Sequence, residues 1–390
     1  MYPSPAHCVP GFFIDPDMRH KIIFILLSCL GACAEVLADP VAASSTPVFS
    51  GWKPFVELDL WRASDAIPIS QIESDWSKGF APRAGRNVVL MRNRAAAGAE
   101  SDQWRIGYEV RQEAFLDIDR DTLEMVRLYK QRQDPDAPRT FAADARYKNW
   151  SARGLRVGRT FEGPQIAGRA VRTLVSVAWY SASHYRQNEV SGSISYLNSR
   201  EYAFNATELD IDSRARLPFL DATPEASGVS ISVATEVPLS EALTLKVKVD
   251  DLWSRMRWRN LPVTRQTINS DVAGTDSEGF LNYRPLLSGR NQQVDESITL
   301  PRYGTAELSY RTGAWRYAAQ VERYAGVTIP TLSAARQFGW GVLSARMETR
   351  FHTFGLGYEF GNFRVLLQAD SIRQDKAKAQ AVQLGYSRSF

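Results

Sequence analysis

The sequence has few cysteines, and all three lie near its N-terminus. Cys8, Cys29 and Cys33 stand within or before the one strongly apolar segment of the chain. If that segment is removed, the remaining chain has no cysteine. It then cannot contain a thiolate metal site, a catalytic thiol or a framework of disulfide bonds. Such a chain suits an oxidising compartment without depending on one.

Net charge and histidine are also scarce. The formal net charge is only +4 over 390 residues, and no basic tail collects it, so the charge pattern argues against nucleic-acid binding. Beyond residue 39 the chain retains only His184 and His352. Two histidines without a His-Glu-x-x-His motif do not define a zinc site. The sequence has no Gly-rich phosphate loop, and we predict neither a cofactor nor a metal.

The N-terminal segment has the pattern of a secretory signal peptide. From Met18 a short basic stretch precedes an apolar run over 22–30. This run is about ten residues long, well below the roughly 20 that a membrane-spanning helix needs. Cleavage before Asp39 would follow small or modest side chains, and Met18 is the expected true start. We therefore predict a signal peptide over 1–38 and one mature unit over 39–390.

A second interpretation of this segment rests on Leu30-Gly31-Ala32-Cys33. These residues resemble a bacterial lipobox, which would leave Cys33 lipidated at the mature N-terminus. Glycine at the second position and the downstream cleavage site favour the signal peptide instead. No later run is long and apolar enough to span a membrane as a helix. A mature protein located in a membrane must therefore cross it with strands.

Beyond residue 39, apolar residues recur at every second position in stretches of about ten residues, the weak signature of a membrane barrel. Phe363, Val365 and Leu367 share one face of a predicted strand, while Arg364 and Gln368 occupy the other. Charged groups on this second face cannot point into lipid and need a wet lumen or paired partners. A soluble antiparallel sheet would alternate as well, so alternation alone does not separate the two classes.

The chain ends on a strand-like segment whose apolar and aromatic residues alternate and whose last residue is aromatic: Val382, Leu384, Tyr386 and Phe390. This segment resembles the closing strand of Gram-negative outer-membrane β-barrels, the porin-like proteins. The resemblance implies a location in the outer membrane, contact with its lipids and lipopolysaccharide, and recognition of these four residues by the barrel assembly machinery. The resemblance covers one strand and the general alternation of apolar and polar residues along the chain. It therefore indicates an architecture and not an individual protein.

We predict an all-β, antiparallel, up-and-down transmembrane β-barrel of about 16 strands, within a range of roughly 14 to 18. The predicted strands lie near 53–62, 86–94, 103–117, 121–133, 139–148, 152–161, 170–184, 188–198, 200–212, 227–237, 242–258, 303–311, 315–325, 340–360, 363–373 and 379–390. We expect a bulge at Asp250-Asp251, where the apolar face shifts. In the predicted strand 340–360 the apolar face shifts near His352 and Thr353. The alternative to one long strand is a hairpin with its turn at this position.

The lengths of the links predict which end of the barrel faces the periplasm, because such barrels have short periplasmic turns and longer outer loops. The short links predicted on the periplasmic side are Gly361-Asn362, Thr312-Gly313-Ala314, Pro238 to Glu241 and Ser199. The long segments predicted outside are 213–226, 259–302 and 326–339. All three are expected to be outer loops.

Basic residues are frequent on the face assigned to the lumen. The predicted lumen residues are Lys246, Lys248, Arg255, Arg257, Arg259, Arg346, Glu348, Arg350 and Arg364. The three arginines beyond Asp250-Asp251 are placed in the lumen because the bulge is expected to exchange the two faces. Rings of Arg and Lys in a pore favour anions, since guanidinium groups bind carboxylate and phosphate oxygens bidentately.

Two other interpretations of these arginines remain open. In the first, they fill a packed lumen by pairing with acidic residues such as Glu109, Glu307 and Glu322. Alternatively, the outermost arginines lie above the bilayer and bind lipopolysaccharide phosphates. The lumen interpretation predicts a channel that favours anionic solutes.

Two further functions compete with the channel. One is an accessory barrel of an export or envelope-assembly system, which would bind an envelope protein or a polysaccharide. The other is an outer-membrane lipid hydrolase or acyltransferase with His184 as base. Ser183 is a poor partner for His184, because adjacent residues of a strand point to opposite faces. We therefore predict a protein that is not an enzyme.

Overall fold

The computed structural model describes residues 51–198, 201–217, 220, 222–270, 273–275, 281–283 and 286–386. The predicted signal peptide over 1–38, the lipidation candidate Cys33, the link at Ser199 and the terminal Phe390 lie outside these ranges. Within them, no helix has the length and apolar character needed to cross a membrane.

Strands dominate the structure. Their bounds are β1 Lys53–Ser64, β2 Arg86–Glu100, β3 Trp104–Asp119, β4 Arg139–Ile166, β5 Arg169–Asn198, β6 Glu201–Asp212, β7 Glu225–Pro238, β8 Leu243–Asn269, β9 Ala273–Thr275, β10 Leu281–Tyr283, β11 Leu287–Ile298, β12 Tyr303–Thr312, β13 Trp315–Tyr324, β14 Val327–Phe338, β15 Gly341–Glu348, β16 Thr353–Phe360, β17 Phe363–Ala369 and β18 Ala379–Tyr386. Helix α1 spans Arg120–Gln131, and a short 3-10 turn spans Ile69–Gln71.

The strands form one antiparallel sheet of 16 strands, 14 of which close into a barrel. The last strand, β18, pairs with both β17 and β1 and so joins the two ends of the sheet. β6 lies above β7 between β5 and β8, and β11 lies above β12 beside β8. The two additional strands thus continue barrel strands outwards. The prediction of an all-β antiparallel barrel is confirmed.

The links place both described chain ends at the same end of the barrel. The links at that end are all short: 101–103, 167–168, 239–242, 313–314, 339–340 and 361–362. Links at the other end include 65–85, 120–138 and 370–378, which are much longer. Short turns mark the periplasmic end of such barrels. The predicted side of the links near Gly313, Pro238 and Gly361 is therefore confirmed.

Two predicted links are wrong. β5 ends at Asn198 and β6 begins at Glu201, both at the outer end, so the periplasmic side predicted for the link between them is wrong. The predicted outer loop 326–339 is strand β14, which pairs with β13 and β15 along its length. Pro330 lies in the middle of this strand, and a proline inside an apolar run argues against a strand when only the sequence is read.

Several predicted strand bounds also change. The predicted strand 121–133 is helix α1, whose first turn is capped by the Asp119 carboxylate accepting from the Thr122 N–H at 2.7 Å. β4 and β5 each join two predicted strands into one of 28 and 30 residues. The segment 340–360 is a hairpin with its turn at 349–352, which confirms the alternative. The predicted loop 259–302 contains the end of β8 and all of β11.

The long strands rise above the barrel on one side. The upper parts of β4, β5 and β8, together with β6 and β11, form a five-stranded extension that we call the outer wall. On the opposite side β15, β16, β17 and β18 have only 7 or 8 residues each. These strands are shorter than the roughly 9–11 residues that a tilted strand needs to cross the hydrocarbon layer.

The outward face of the barrel carries a belt of exposed apolar and aromatic side chains. Members of this belt include Trp104, Tyr108, Leu155, Trp179, Val247, Trp253, Leu308, Trp315, Leu332, Leu343, Met347, Phe354, Leu356, Phe363, Leu367 and Tyr386. Val382, Leu384 and Tyr386 alternate along the outward face of β18. A closed antiparallel barrel with such a belt spans a membrane of the outer-membrane type, because lipid requires paired backbone groups and an apolar surface.

Candidate functional site

A group of buried charged side chains connects opposite walls of the barrel. Arg111 on β3 donates to both carboxylate oxygens of Asp251 on β8, at 2.6 and 3.0 Å. It also donates to Glu113 at 2.7 Å. Three strands, β4, β5 and β7, separate β3 from β8 around the barrel. The pair therefore bridges the lumen, as does the ion pair between Arg94 on β2 and Asp250 on β8.

The same group extends to the far side of the lumen. The Tyr324 hydroxyl on β13 donates to Glu113 at 2.9 Å. The guanidinium of Arg92 lies 3.7 Å from the centre of the Tyr303 ring on β12 and donates to Asp59 at 2.8 Å. We call these residues, with Arg94, Arg111, Asp250 and Asp251, the central network. They link β2 and β3 to β8, β12 and β13 across the lumen.

Polar neighbours satisfy the carboxylates around the central network. Arg156 forms a two-point pair with Glu109, with both N–O distances at 2.9 Å, and the Tyr180 hydroxyl donates to the same carboxylate. The Ser230 hydroxyl donates to Asp251 at 2.5 Å. Buried charges persist only when they are paired and hydrogen-bonded. These contacts therefore explain how so many ionised groups occupy the middle of the barrel.

A bulge in β8 brings two consecutive carboxylates to the lumen. Ile231 pairs with Trp253 and Val233 pairs with Val249, so three residues of β8 oppose one residue of β7. Asp251 has a positive φ of 54°, as a strongly kinked bulge requires. Asp250 and Asp251 are both buried on the lumen side. The predicted bulge at this position is confirmed.

The length of this bulge makes the predicted lumen position of three arginines wrong. Because the bulge adds two residues and not one, the alternation beyond it resumes on the same faces. Met256 and Trp258 are buried on the inner side, whereas Arg255, Arg257 and Arg259 lie exposed on the outward face. An insertion of one residue would have exchanged the faces, which is what the sequence analysis assumed.

The other predicted lumen bases do lie inside the barrel. Lys246 pairs with Glu236 at 3.4 Å and Lys248 with Asp250 at 3.1 Å. Arg346 pairs with Glu322 at 2.6 Å and also donates to Gln320. The interpretation in which carboxylates neutralise lumen arginines thus holds for Glu109 and Glu322. Glu307 lies opposite Lys246 in the strand register.

Glu348 is the last residue of β15, and Arg350 lies in the turn that joins β15 to β16. The Glu348 carboxylate accepts from the backbone N–H groups of Arg350 and Phe351. Arg350 donates to both oxygens of Asp65, just beyond β1, at 2.5 and 2.8 Å. Burial alone would raise the pKa of Asp65, but hydrogen bonds from Arg350 and the Val88 N–H outweigh it and hold this pKa below its ordinary value.

An apolar layer packs inside the barrel on the outer side of the central network and shares Tyr303 and Tyr324 with it. It contains Trp61, Ala63, Val88, Leu90, Tyr303, Tyr324, Val327, Ile329, Phe351 and Ala379. Trp61 and Phe351 meet edge to face with 5.9 Å between ring centres. These residues come from strands on both sides of the barrel. The layer therefore joins the two sides of the barrel next to the charged groups.

A polar cavity of about 280 Å³ lies on the periplasmic side of the central network. Charged residues from several strands line it, including Glu57, Arg94, Arg105, Lys248 and Arg364. Arg105 and Glu57 form an ion pair at 2.9 Å. Arg364 thus lies inside the barrel as predicted. The charged lining makes this a chamber for water and polar solutes.

The inner face of the outer wall carries basic residues that sequence reasoning missed. Arg265 on β8 and Arg290 on β11 are direct partners in the strand register, and both are exposed. Arg146 and Lys148 lie exposed on the same face of β4. Arg265 and Arg290 come together only because β11 pairs with β8. The sequence does not predict this pairing, because 259–302 is expected to be a loop.

The comparisons with known proteins followed three routes. No protein-family model matches the chain, and no curated protein matches it. Among solved structures, the Pseudomonas putida toluene transporter TodX has 11% identity and a TM-score of 0.39, with 90% of this chain and 91% of that chain covered. The translocator domain of autotransporter NalP from Neisseria meningitidis has 10% identity and a TM-score of 0.30, with 95% and 98% covered.

The Ralstonia pickettii toluene transporter TbuX is a third similar structure, with 8% identity and a TM-score of 0.23 over 85% of this chain and 88% of that one. The assignment of this chain as a membrane barrel rests on its own strand pairing and apolar belt. These likenesses add no argument about its function.

His184, the candidate base of a lipid hydrolase or acyltransferase, lies on the outer part of β5. Its Nδ1 atom is 3.4 Å from the Ser213 hydroxyl, which also accepts from the Tyr185 N–H at 3.0 Å. Ser183 hydrogen-bonds the Ser151 hydroxyl at 2.9 Å. Ser183 is therefore engaged with Ser151, as expected of a poor partner for His184. Ser213 anchors the segment beyond β6 to the β5 backbone.

Proposed function

We propose that this protein is an outer-membrane channel for small anionic solutes and that the structure is its closed state. The observation that carries this proposal is the direct opposition of Arg265 and Arg290 on the inner face of the outer wall. Inside the barrel, Lys246, Lys248 and Arg346 each have a carboxylate partner. At the mouth, two guanidinium groups face each other instead.

Two like charges directly opposite in neighbouring strands repel and destabilise the pairing. An anion between them would remove that repulsion, since each guanidinium can bind a carboxylate or phosphate through two parallel hydrogen bonds. In the described ranges neither arginine forms an ion pair, although Arg290 donates to Gln292. Arg146 and Lys148 extend the basic face across the wall. The mouth is therefore suited to collect anions.

Charged groups in the lumen support the proposal that polar solutes pass through it. The cavity below the central network is lined by charged groups, and the network itself consists of ion pairs that can exchange their partners for water or solute. Passage requires separation of β2 and β3 from β8 and β12. The apolar layer would have to part at the same time, because it joins the same strands.

The test is a measurement of ion selectivity in a planar lipid bilayer. We expect open events of the wild-type channel to favour chloride over potassium, and the variant Arg265→Ser/Arg290→Ser to lose most of this preference. The matched control is Arg159→Ser/Arg336→Ser, which removes two outward arginines at the periplasmic end and should leave selectivity unchanged. Equal selectivity in wild type and in the first variant would refute the role of the basic mouth.

A second candidate is an accessory barrel of an export or envelope-assembly system. The outer wall favours it, because β4, β5 and β8 extend far beyond the length that a membrane needs. Such a wall offers a large surface to a polysaccharide or an envelope protein. A barrel of this class would give no conductance under any condition, which distinguishes it from a channel.

A further inference from the structure

The outward face of upper β8 carries a regular row of basic side chains. Arg255, Arg257 and Arg259 are exposed, while the alternate residues Met256 and Trp258 are buried. Because a strand rises about 3.3 Å per residue, successive arginines start roughly 7 Å apart along it. We call these three residues the arginine ladder.

The arginine ladder begins where the apolar belt ends. Trp253, just below it, is an exposed member of the belt, with 53% of its surface accessible. In the strand register Arg255 is level with Val229 and Trp179. One step further out, Arg257 is level with three exposed serines on β5, β7 and β11: Ser181, Ser227 and Ser297. Between Arg255 and Arg257 the outward surface thus changes from tryptophan side chains, which are typical of a membrane interface, to hydroxyl and guanidinium groups.

The charges of the arginine ladder are not neutralised by the protein. Within the ranges that the structure describes, none of the three arginines forms an ion pair, and Arg255 only approaches the Ser297 hydroxyl at 3.4 Å. Two carboxylates lie near the outermost arginine, on Glu225 and Asp295. Asp295 is engaged by the Asn260 N–H at 3.0 Å. Among the described residues, those directly opposite Arg255 and Arg257 in the register are apolar or carry a hydroxyl group: Val229, Ser227 and Ser297.

We propose that the arginine ladder binds the phosphate groups of a phosphorylated glycolipid of the outer leaflet. Three observations together carry this site: alignment on the outward face, a position at the upper limit of the belt, and the lack of a protein partner. Guanidinium groups bind phosphate bidentately, and the adjacent serine hydroxyls can donate further hydrogen bonds. The acyl chains of the glycolipid would lie along the belt below, against Trp179 and Trp253.

The test uses the full protein, purified in detergent and incubated with bisphosphorylated lipid A or with its dephosphorylated form. Native mass spectrometry counts the lipid retained per barrel. We expect the variant Arg255→Ser/Arg257→Ser/Arg259→Ser to bind bisphosphorylated lipid A roughly tenfold more weakly than wild type. Wild type should show a similar loss for the dephosphorylated lipid. The pair Arg159→Ser/Arg336→Ser, outward but at the opposite membrane face, should bind like wild type.

Retention of lipid A by the triple serine variant at the wild-type level would overturn the proposal. So would equal retention of both lipids by wild type, because the contact would then depend on acyl chains alone. Competition by inorganic phosphate at a concentration equal to that of the lipid would show a free-anion site and also contradict it. Heat-modifiable migration in gels checks that each variant is folded.

Discussion

Arg111 on β3 and Asp251 on β8 form a two-point ion pair across the lumen, and neither side chain has any exposed surface. Burial removes both charged groups from water, and the contact between them compensates for that cost. Without it, the desolvation of Arg111 would be less well compensated and Asp251 could not remain ionised. The bulge in β8 includes Asp251, the residue that forms this contact. The contact across the lumen is therefore a consequence of strand geometry and of charge pairing together.

Replacing Arg111 by Met should destabilise the folded barrel strongly. The substitution leaves Asp251 and Glu113 buried without their shared cation, and loss of one partner of a buried pair costs about 3–5 kcal/mol. The free energy of unfolding by urea in lipid vesicles measures the effect. The control Arg373→Met breaks an exposed pair with Asp375 and should change the free energy by less than about 1 kcal/mol. Similar values for the two variants would show that the central pair is unimportant.

The contact between Asp65 and Arg350 should make stability depend on acid. Because the folded pKa of Asp65 is lowered, its contribution is fully present above the unfolded pKa of roughly 3.9 and is lost as the pH falls through the folded value. The midpoint of thermal unfolding should therefore change little through this group between about pH 7 and pH 5 and fall below about pH 4.

Asp65→Asn tests this assignment by circular dichroism melts at both ends of the pH range. The variant should have a lower midpoint than wild type at neutral pH, and the difference between the two proteins should shrink in acid. A difference that stays constant down to pH 3, or roughly so, would contradict the linkage.

Gly154 should not tolerate even a methyl group. A Cβ atom there would lie 1.9 Å from the Trp179 carbonyl oxygen and 2.9 Å from the Tyr180 ring. Gly154→Ala must therefore shift β4 against β5 and should reduce the amount of folded barrel in the membrane several-fold. Gly163, on the same strand, has its nearest atom at 3.5 Å. Gly163→Ala should assemble normally, and equal yields of the two variants would contradict the close packing.

Much of the architecture could be predicted from the alternation of residues. Val382, Leu384 and Tyr386 indicated the closing strand, and short links such as Gly361-Asn362 indicated the periplasmic end. These features depend on a period of two and on turn length, which are local properties of a sequence. Helix α1 was missed because its apolar residues also fit a strand, and the Asp119 cap was not recognised.

The candidate site could be predicted only in part. The position of the bulge at Asp250-Asp251 was visible as a shift of the apolar face, but its length was not, so Arg255, Arg257 and Arg259 were assigned to the wrong side. Arg265 and Arg290 lie 25 positions apart in sequence and meet only through the pairing of β8 with β11. Contacts across the lumen depend on which strands become opposite, and no local pattern shows this.

The most direct test of a channel closed by the central network removes one of its crossing pairs completely. Arg94→Ser/Asp250→Ser deletes both partners of this pair; Lys248 then loses its contact with Asp250, whereas Glu113 keeps its contact with Arg111. The matched variant Lys246→Ser/Glu236→Ser removes an ion pair between the neighbouring strands β7 and β8, which does not cross the lumen. Single-channel recording should show a several-fold higher open probability for the first variant and wild-type behaviour for the second. A first variant that folds correctly and still conducts no more than wild type would contradict the account.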